Sequence, residues 1–176
     1  MTADAEPPSD AELPEVRPPD ARQLYAASYP RLVRVLTLAA GSQAEAEDVV
    51  QEAFVRLMPR WSVVSRYDDP EAWVRKVAFR LLSNRARRGR VRLSAALRHR
   101  PPEPVGVPTG DGVDVRRALA ALPLAQRQVV VLHHLLGVPV DEVAAELKIP
   151  VGTVKSRLSR ARAALAPLLR EEVNHD

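Results

Sequence analysis

A chain of 176 residues has room for one domain of ordinary size or two small ones. It contains no cysteine, which excludes disulfides and thiolate metal sites and makes a reducing, cytoplasmic setting the expectation. No run approaches the ~18 apolar residues of a membrane span, and the first twenty residues carry Asp4, Glu6, Asp10, Glu12, Glu15 and Asp20 instead of a basic start with an apolar stretch, so neither a signal peptide nor membrane insertion is expected.

Residues 1–20, rich in Pro, Asp, Glu and Ala without periodicity, read as a disordered acidic tail. From about Leu24 the pattern turns helical. Tyr25, Tyr29, Leu32 and Leu36 form one stripe, Val50, Ala53, Phe54 and Leu57 a second, and Gly41-Ser42 between them suits a helix end followed by a new start. Pro59-Arg60-Trp61 closes the second helix, and residues 62–69 read as a loop. Asp68 or Asp69 can cap the next helix with Pro70 at its first position, and Val74, Val77, Ala78 and Leu81 supply its apolar face. That helix runs into an acid-free stretch holding Arg85, Arg87, Arg88, Arg90, Arg92, Arg98 and Arg100.

A Pro/Gly-rich linker is expected over 93–113, because PPEPVGVPTGDGV holds four prolines and three glycines and cannot continue a helix. Beyond it, Val115, Leu119 and Leu122 open a second all-helical unit over 114–170, with a short tail at 171–176. Within this unit Val140, Val143, Ala144 and Leu147 keep one helix face, Lys148-Ile149-Pro150 interrupts, and Val154, Leu158, Ala161 and Leu165 resume the spacing. The pair reads as a helix-turn-helix. Lys155 to Arg170 is a second acid-free basic stretch, so the net charge of +4 conceals two cationic surfaces suited to a polyanion. On the last helix Thr153, Ser156, Ser159 and Arg160 lie opposite the apolar stripe as the groove-facing arc, while Lys155, Arg157 and Arg162 flank it within reach of phosphates.

The reading is therefore an all-α chain of two small helical domains, 21–92 and 114–170, joined by a flexible linker. Adjacent His133 and His134 point about 100° apart on a helix and have no Cys or acid nearby, so neither a metal nor another cofactor is expected. No phosphate-binding glycine loop, nucleophile elbow or carboxylate pair is recognisable, and the chain is not expected to be an enzyme.

These segments together resemble the extracytoplasmic-function sigma factors of the sigma-70 family, small two-domain initiation subunits of bacterial RNA polymerase. The resemblance covers about residues 22 to 170 and rests on AEDVVQEAFVRLMPRW, EAWVRKVAFRLLSNRARR and LPLAQRQVVVLHHLLGVPVDEVAAELKIPVGTVKSRLSRARAAL in that order. It implies a polymerase-binding helix at 44–58, on which Asp48, Gln51, Glu52 and Val55 face away from the apolar stripe and become the contacts for core polymerase. It also implies that Arg66, Tyr67, Arg80, Asn84, Arg87 and Arg88 take the non-template single strand of the minus-ten element, aromatic and cationic groups being suited to unstacked bases. Thr153, Lys155, Ser156, Arg157, Ser159 and Arg160 would engage the duplex minus-thirty-five element. Many relatives carry Ala-x-Asn where this chain has Ala78-Phe79-Arg80, so base preference does not transfer there, and Asn84 is the candidate amide one turn later. An anti-sigma protein is the further partner the resemblance implies.

Two alternatives stand beside this reading: a self-sufficient helix-turn-helix regulator, which lacks an evident dimer helix after Leu169, and a helical interaction adaptor whose arginines only confer solubility.

Overall fold

The computed structural model describes residues 20–96 and 113–173, with side chains placed over 20–89 and 115–167. Residues 1–19 of the tail expected over 1–20, residues 97–112 of the linker expected over 93–113, and the last residues, 174–176, lie outside the described residues. All regular structure among the described residues is helical.

Helix α1, Ala21–Ala40, starts where Asp20 accepts the Arg22 amide while Gln23 reaches back to the Asp20 amide, a reciprocal cap that satisfies otherwise orphaned donors. It runs through Pro30 and stops at Gly41, whose φ of 80° is left-handed. A Cβ there would have to displace the Arg127 guanidinium, the far end of a flexible side chain, so it is the left-handed turn that calls for glycine. Ser42 caps α2, Gln43–Leu57, and a 3-10 turn at Met58–Arg60 leads into the single helical turn α3, Trp61–Val64. The expected loop over 62–69 is therefore shorter: buried Val64 pins its first residues into a helical turn.

Asp69 accepts the Ala72 amide at 2.9 Å and Pro70 opens α4, Pro70–Ala96. This helix passes the boundary expected at 92 by four residues, because 93–96 (Leu-Ser-Ala-Ala) contains neither Pro nor Gly. Helices α1, α2 and α4 enclose a first lobe whose centre is Leu32, Leu36, Val49, Val50, Leu57, Val74, Phe79 and Leu82. Each such aliphatic or aromatic side chain contributes about 1.5–3 kcal/mol by leaving water. Tyr25, expected in the core stripe, is instead 41% exposed, because it lies toward the outer end of α1. It stacks on Tyr29 at 4.7 Å and meets Phe54 edge-on at 4.8 Å.

The second lobe comprises α5, Val113–Ala120; α6, Leu124–Val130, continued by a π-helical turn Val131–Leu135; α7, Val140–Leu147; and α8, Val151–Val173. Val115 is exposed, and Ala118, Leu119 and Leu122 carry the packing assigned to it. The wide π turn sends both Val131 and Leu132 inward, and the chain turns beyond it at Gly137, φ 67°. Lys148 closes α7 in the left-handed region, φ 54°, and Val143, Leu147, Val154, Leu158 and Ala161 bury the faces of α7 and α8 against one another. Helix α8 continues through Pro167 to Val173, past the domain end expected at 170.

The two lobes touch. Helix α6 lies against α1, and α7 lies against α4, so the buried side chains of both form one continuous cluster.

Candidate nucleic-acid interface

On α2 the inward residues Val49, Val50, Ala53, Phe54 and Leu57 leave Asp48, Gln51, Glu52 and Val55 on the outer side, as the sequence pattern predicts. Val55 is 69% exposed, and the exposed side chain of Met58 follows one turn on. The acids are not bare. Arg85 of α4 reaches Asp48 at 3.5 Å and Glu52 at 2.8 Å, and Arg56 pairs with Glu52 from the next turn. These guanidinium contacts, Arg85 first, hold the Glu52 carboxyl below the usual carboxylate range. Gln51 donates to the Tyr29 hydroxyl at 3.3 Å. The outer face of α2 is thus an acid-rich surface with an apolar end, braced from behind by α4.

The turn before α4 exposes Arg66 and Tyr67, the latter 49% accessible, while Trp73 is only partly exposed and Phe79 is fully buried. Aromatic stacking on a base is therefore available at Tyr67 and closed to Phe79. Farther along α4 the expected single-strand contacts divide. Arg88 is exposed, Arg87 donates to Asn84 at 3.3 Å, and Arg80 turns toward the second lobe. Arg80 donates from Nε to the Glu146 carbonyl at 2.8 Å and from Nη2 to the Ala145 carbonyl at 3.1 Å. Arg80 is the member of the expected strand-binding set whose guanidinium makes these contacts with the other lobe.

Helix α8 presents Lys155, Ser156, Ser159 and Arg160 to solvent on one side of the buried Val154–Leu158–Ala161 stripe, with Thr153 half-buried at its start. Ser156 donates to the Thr153 carbonyl at 3.0 Å, which leaves its oxygen lone pairs outward. Arg157 departs from this arc. It is half-buried and, with Arg80, Asn84, Arg87, Lys148 and Ile149, lines a cleft of about 770 Å³ between the lobes.

The contact between α4 and the second lobe holds groups that sequence periodicity did not single out. Glu146 is fully buried, and its carboxylate receives Arg75 from Nε at 3.3 Å and Nη2 at 3.4 Å. Burial pushes the Glu146 carboxyl up, while Arg75, Lys76 and Arg80 pull it back. Ser83 donates to Gln128 at 3.1 Å across the same seam. Glu146 had one visible sign: it lies three residues after Val143, on the edge of the apolar arc, with no basic residue three or four positions away. His133 and His134 have ring centroids 4.8 Å apart, and His133 Nδ1 lies 2.9 Å from the Val138 carbonyl, within hydrogen-bonding distance. Among the described residues no three His, Cys, Asp or Glu side chains gather into a metal site.

Comparison with known proteins bears on this geometry directly. Residues 24–92 match the family described as Sigma-70 region 2, and residues 113–165 match Sigma-70, region 4. The chain is 31% identical over 150 residues to the ECF RNA polymerase sigma factor SigE of Mycolicibacterium smegmatis, a match covering 79% of this chain and 57% of that protein. It is 32% identical over 151 residues to the ECF RNA polymerase sigma factor SigM of Mycobacterium tuberculosis, covering 84% of this chain and 76% of the relative. In fold it is similar to the sigma factor RpoE of Bartonella quintana, solved in complex with the anti-sigma factor NepR, with a TM-score of 0.65 at 23% identity over 85% of this chain and 96% of that one. With the two regions matched in order on one helical chain, neither the self-sufficient regulator nor the adaptor describes it: the chain belongs to the sigma-70 family, as an RNA polymerase sigma factor of the extracytoplasmic-function group.

Proposed function

We propose that this chain joins core RNA polymerase through the outer face of α2, lays α8 along the duplex minus-thirty-five element, and captures the non-template strand of the minus-ten element with the Arg66–Tyr67 turn and α4. Its part is selection by binding, with no catalytic step of its own, and its setting is the cytoplasm. The observation that carries the reading is the pairing of an acid-rich, partly apolar α2 face with two separate cationic helices, α4 and α8, on one chain.

Magnitudes assign the division of labour. Opening about ten base pairs costs on the order of 14 kcal/mol at a mean of ~1.4 per step. Stacking returns about 1–3 kcal/mol per base, and Tyr67 offers one exposed ring. The remainder must come from the polymerase, whose contact with α2 is therefore indispensable to strand opening. An anti-sigma protein, as in the Bartonella complex, is the proposed antagonist.

Mapping transcript starts made by core polymerase with and without the chain on a genomic template tests this reading. Discrete chain-dependent starts sharing two upstream elements are expected; a start pattern identical to that of core alone contradicts it. On a promoter so found, Arg160→Ala is expected to weaken binding of the upstream duplex and, for a phosphate contact, to lower the salt slope by about one. Unchanged affinity and slope would remove Arg160 from the interface.

A further inference from the structure

The cleft between the lobes encloses about 770 Å³, within the range of about 300–1,000 Å³ typical of sites for small ligands. Four cations line it, Arg80 and Arg87 from α4 and Lys148 and Arg157 from the second lobe, and no acid stands among the lining residues. The bonds described above for two of them go to uncharged groups: Arg80 to the Ala145 and Glu146 carbonyls, and Arg87 to the Asn84 side chain. Buried Glu146 attracts Arg80 but gives its carboxylate to Arg75, so positive charge stays in excess along the cleft. Charges of one sign in a recess with low-dielectric walls focus their field on whatever enters it.

The lining is not cationic alone. Pro123, Leu124, Leu147 and Ile149 give it an apolar side, and Asn84 and Gln128 contribute amides. Gln128 of α6 is 3% exposed; its Oε1 accepts from the Ser83 hydroxyl, while its Nε2 has no hydrogen-bond partner among the described residues. An orphaned amide donor at so buried a position is a cost that native interiors rarely carry, and an acceptor atom brought into the cleft would remove it. A bare inorganic anion answers the cations and leaves the apolar side uncovered. A neutral apolar ligand does the opposite.

We propose that this cleft is a binding site for a nucleotide: the cations take its phosphates, the apolar residues cover its base, and the Gln128 amide finds an acceptor on it. Guanidinium groups meet phosphate oxygens in pairs, and carboxamides suit the mixed donors and acceptors of a base edge. The site goes beyond promoter selection and does not depend on it. Arg80, Asn84 and Arg87 also belong to the set expected to take the single strand, so the second-lobe residues Lys148 and Gln128 carry the distinction between a nucleotide site and a strand surface.

Calorimetric titration of the full chain with ATP, in buffer free of phosphate, tests the site. Saturable binding at one site per chain is expected, with adenosine giving no signal and inorganic tripolyphosphate binding at least about fivefold more weakly than ATP. Lys148→Gln and Arg87→Gln, both at exposed positions, are each expected to weaken ATP binding about tenfold, and Gln128→Leu several-fold, with helicity by circular dichroism unchanged. Should Gln128→Leu fail to fold, the two exposed variants decide. Arg160→Gln and Tyr67→Ala alter residues that do not line the cleft, and ATP affinity is expected to stay within about twofold in both. No saturable binding of ATP by the folded chain overturns the site. An equal loss in Arg160→Gln overturns it in favour of a diffuse cationic surface, and a loss in Tyr67→Ala in favour of the strand-binding turn. Tripolyphosphate as tight as ATP overturns the nucleotide assignment.

Discussion

Replacing Phe79 by alanine is expected to lower the free energy of unfolding of the first lobe by about 3–5 kcal/mol, read from denaturant unfolding at unchanged salt and pH. Phe79 is fully buried among α1, α2 and α4, and truncation leaves a cavity that three packed helices cannot close. The result also separates two roles for an aromatic ring within the segment proposed to capture the strand. Were Phe79 a base-stacking residue, its loss would weaken DNA binding with little effect on stability. The burial predicts the reverse order, and a change under about 1 kcal/mol would place Phe79 outside the core.

The second large effect is on polymerase affinity. Val55→Arg puts a charge at the apolar end of the outer α2 face, where a side chain that is 69% exposed has little packing to lose. Stability is expected to change by no more than about 0.5 kcal/mol, while affinity for core polymerase falls at least about tenfold, or ~1.4 kcal/mol. Val55 is a cleaner probe than its acidic neighbours. Asp48 and Glu52 also bridge to Arg85, so reversing either charge disturbs the α2–α4 packing together with the outer surface. Retained affinity in Val55→Arg would move the interface off this face.

The two lobes were legible in the sequence to different depths. The 3.6-residue spacing over Val50 to Leu57, Val74 to Leu81 and Val143 to Ala161 placed α2, α4, α7 and α8, because amphipathic helices that each bury one face leave that face in the pattern. Asp69 and Pro70 gave the start of α4, and Gly41-Ser42 the break between α1 and α2, through capping chemistry that is local by nature. Tyr25 and Val115 misled: each continues an apolar spacing in the first turns of its helix, where the neighbouring helices leave the side chain largely uncovered, and periodicity carries no signal of how far that cover extends. Residues 62–64 looked like loop because their helical turn is held by the tertiary anchor Val64, not by propensity.

The candidate site divides along the same line. The outward arcs of α2 and α8 follow from the inward ones by subtraction, and the solvent-facing positions of Asp48, Val55, Lys155, Ser159 and Arg160 were readable in that way. The engagement of Arg80 and the inward turn of Arg157 were not, since both depend on the second lobe lying against the first. Arg75 and Glu146 stand 71 residues apart, and nothing in either helix announces the other. An ion pair between two separately patterned units leaves its mark only as a charge at the edge of an apolar face.

Under the proposed function the chain acts through a larger enzyme that its α2 face recruits. Titrating fluorescently labelled chain with purified core RNA polymerase at low salt measures that recruitment most directly. A saturable complex of one chain per core enzyme, weakened by Val55→Arg and indifferent to Arg160→Ala, is the result predicted. A folded chain that gives no saturable signal with core polymerase would contradict the account.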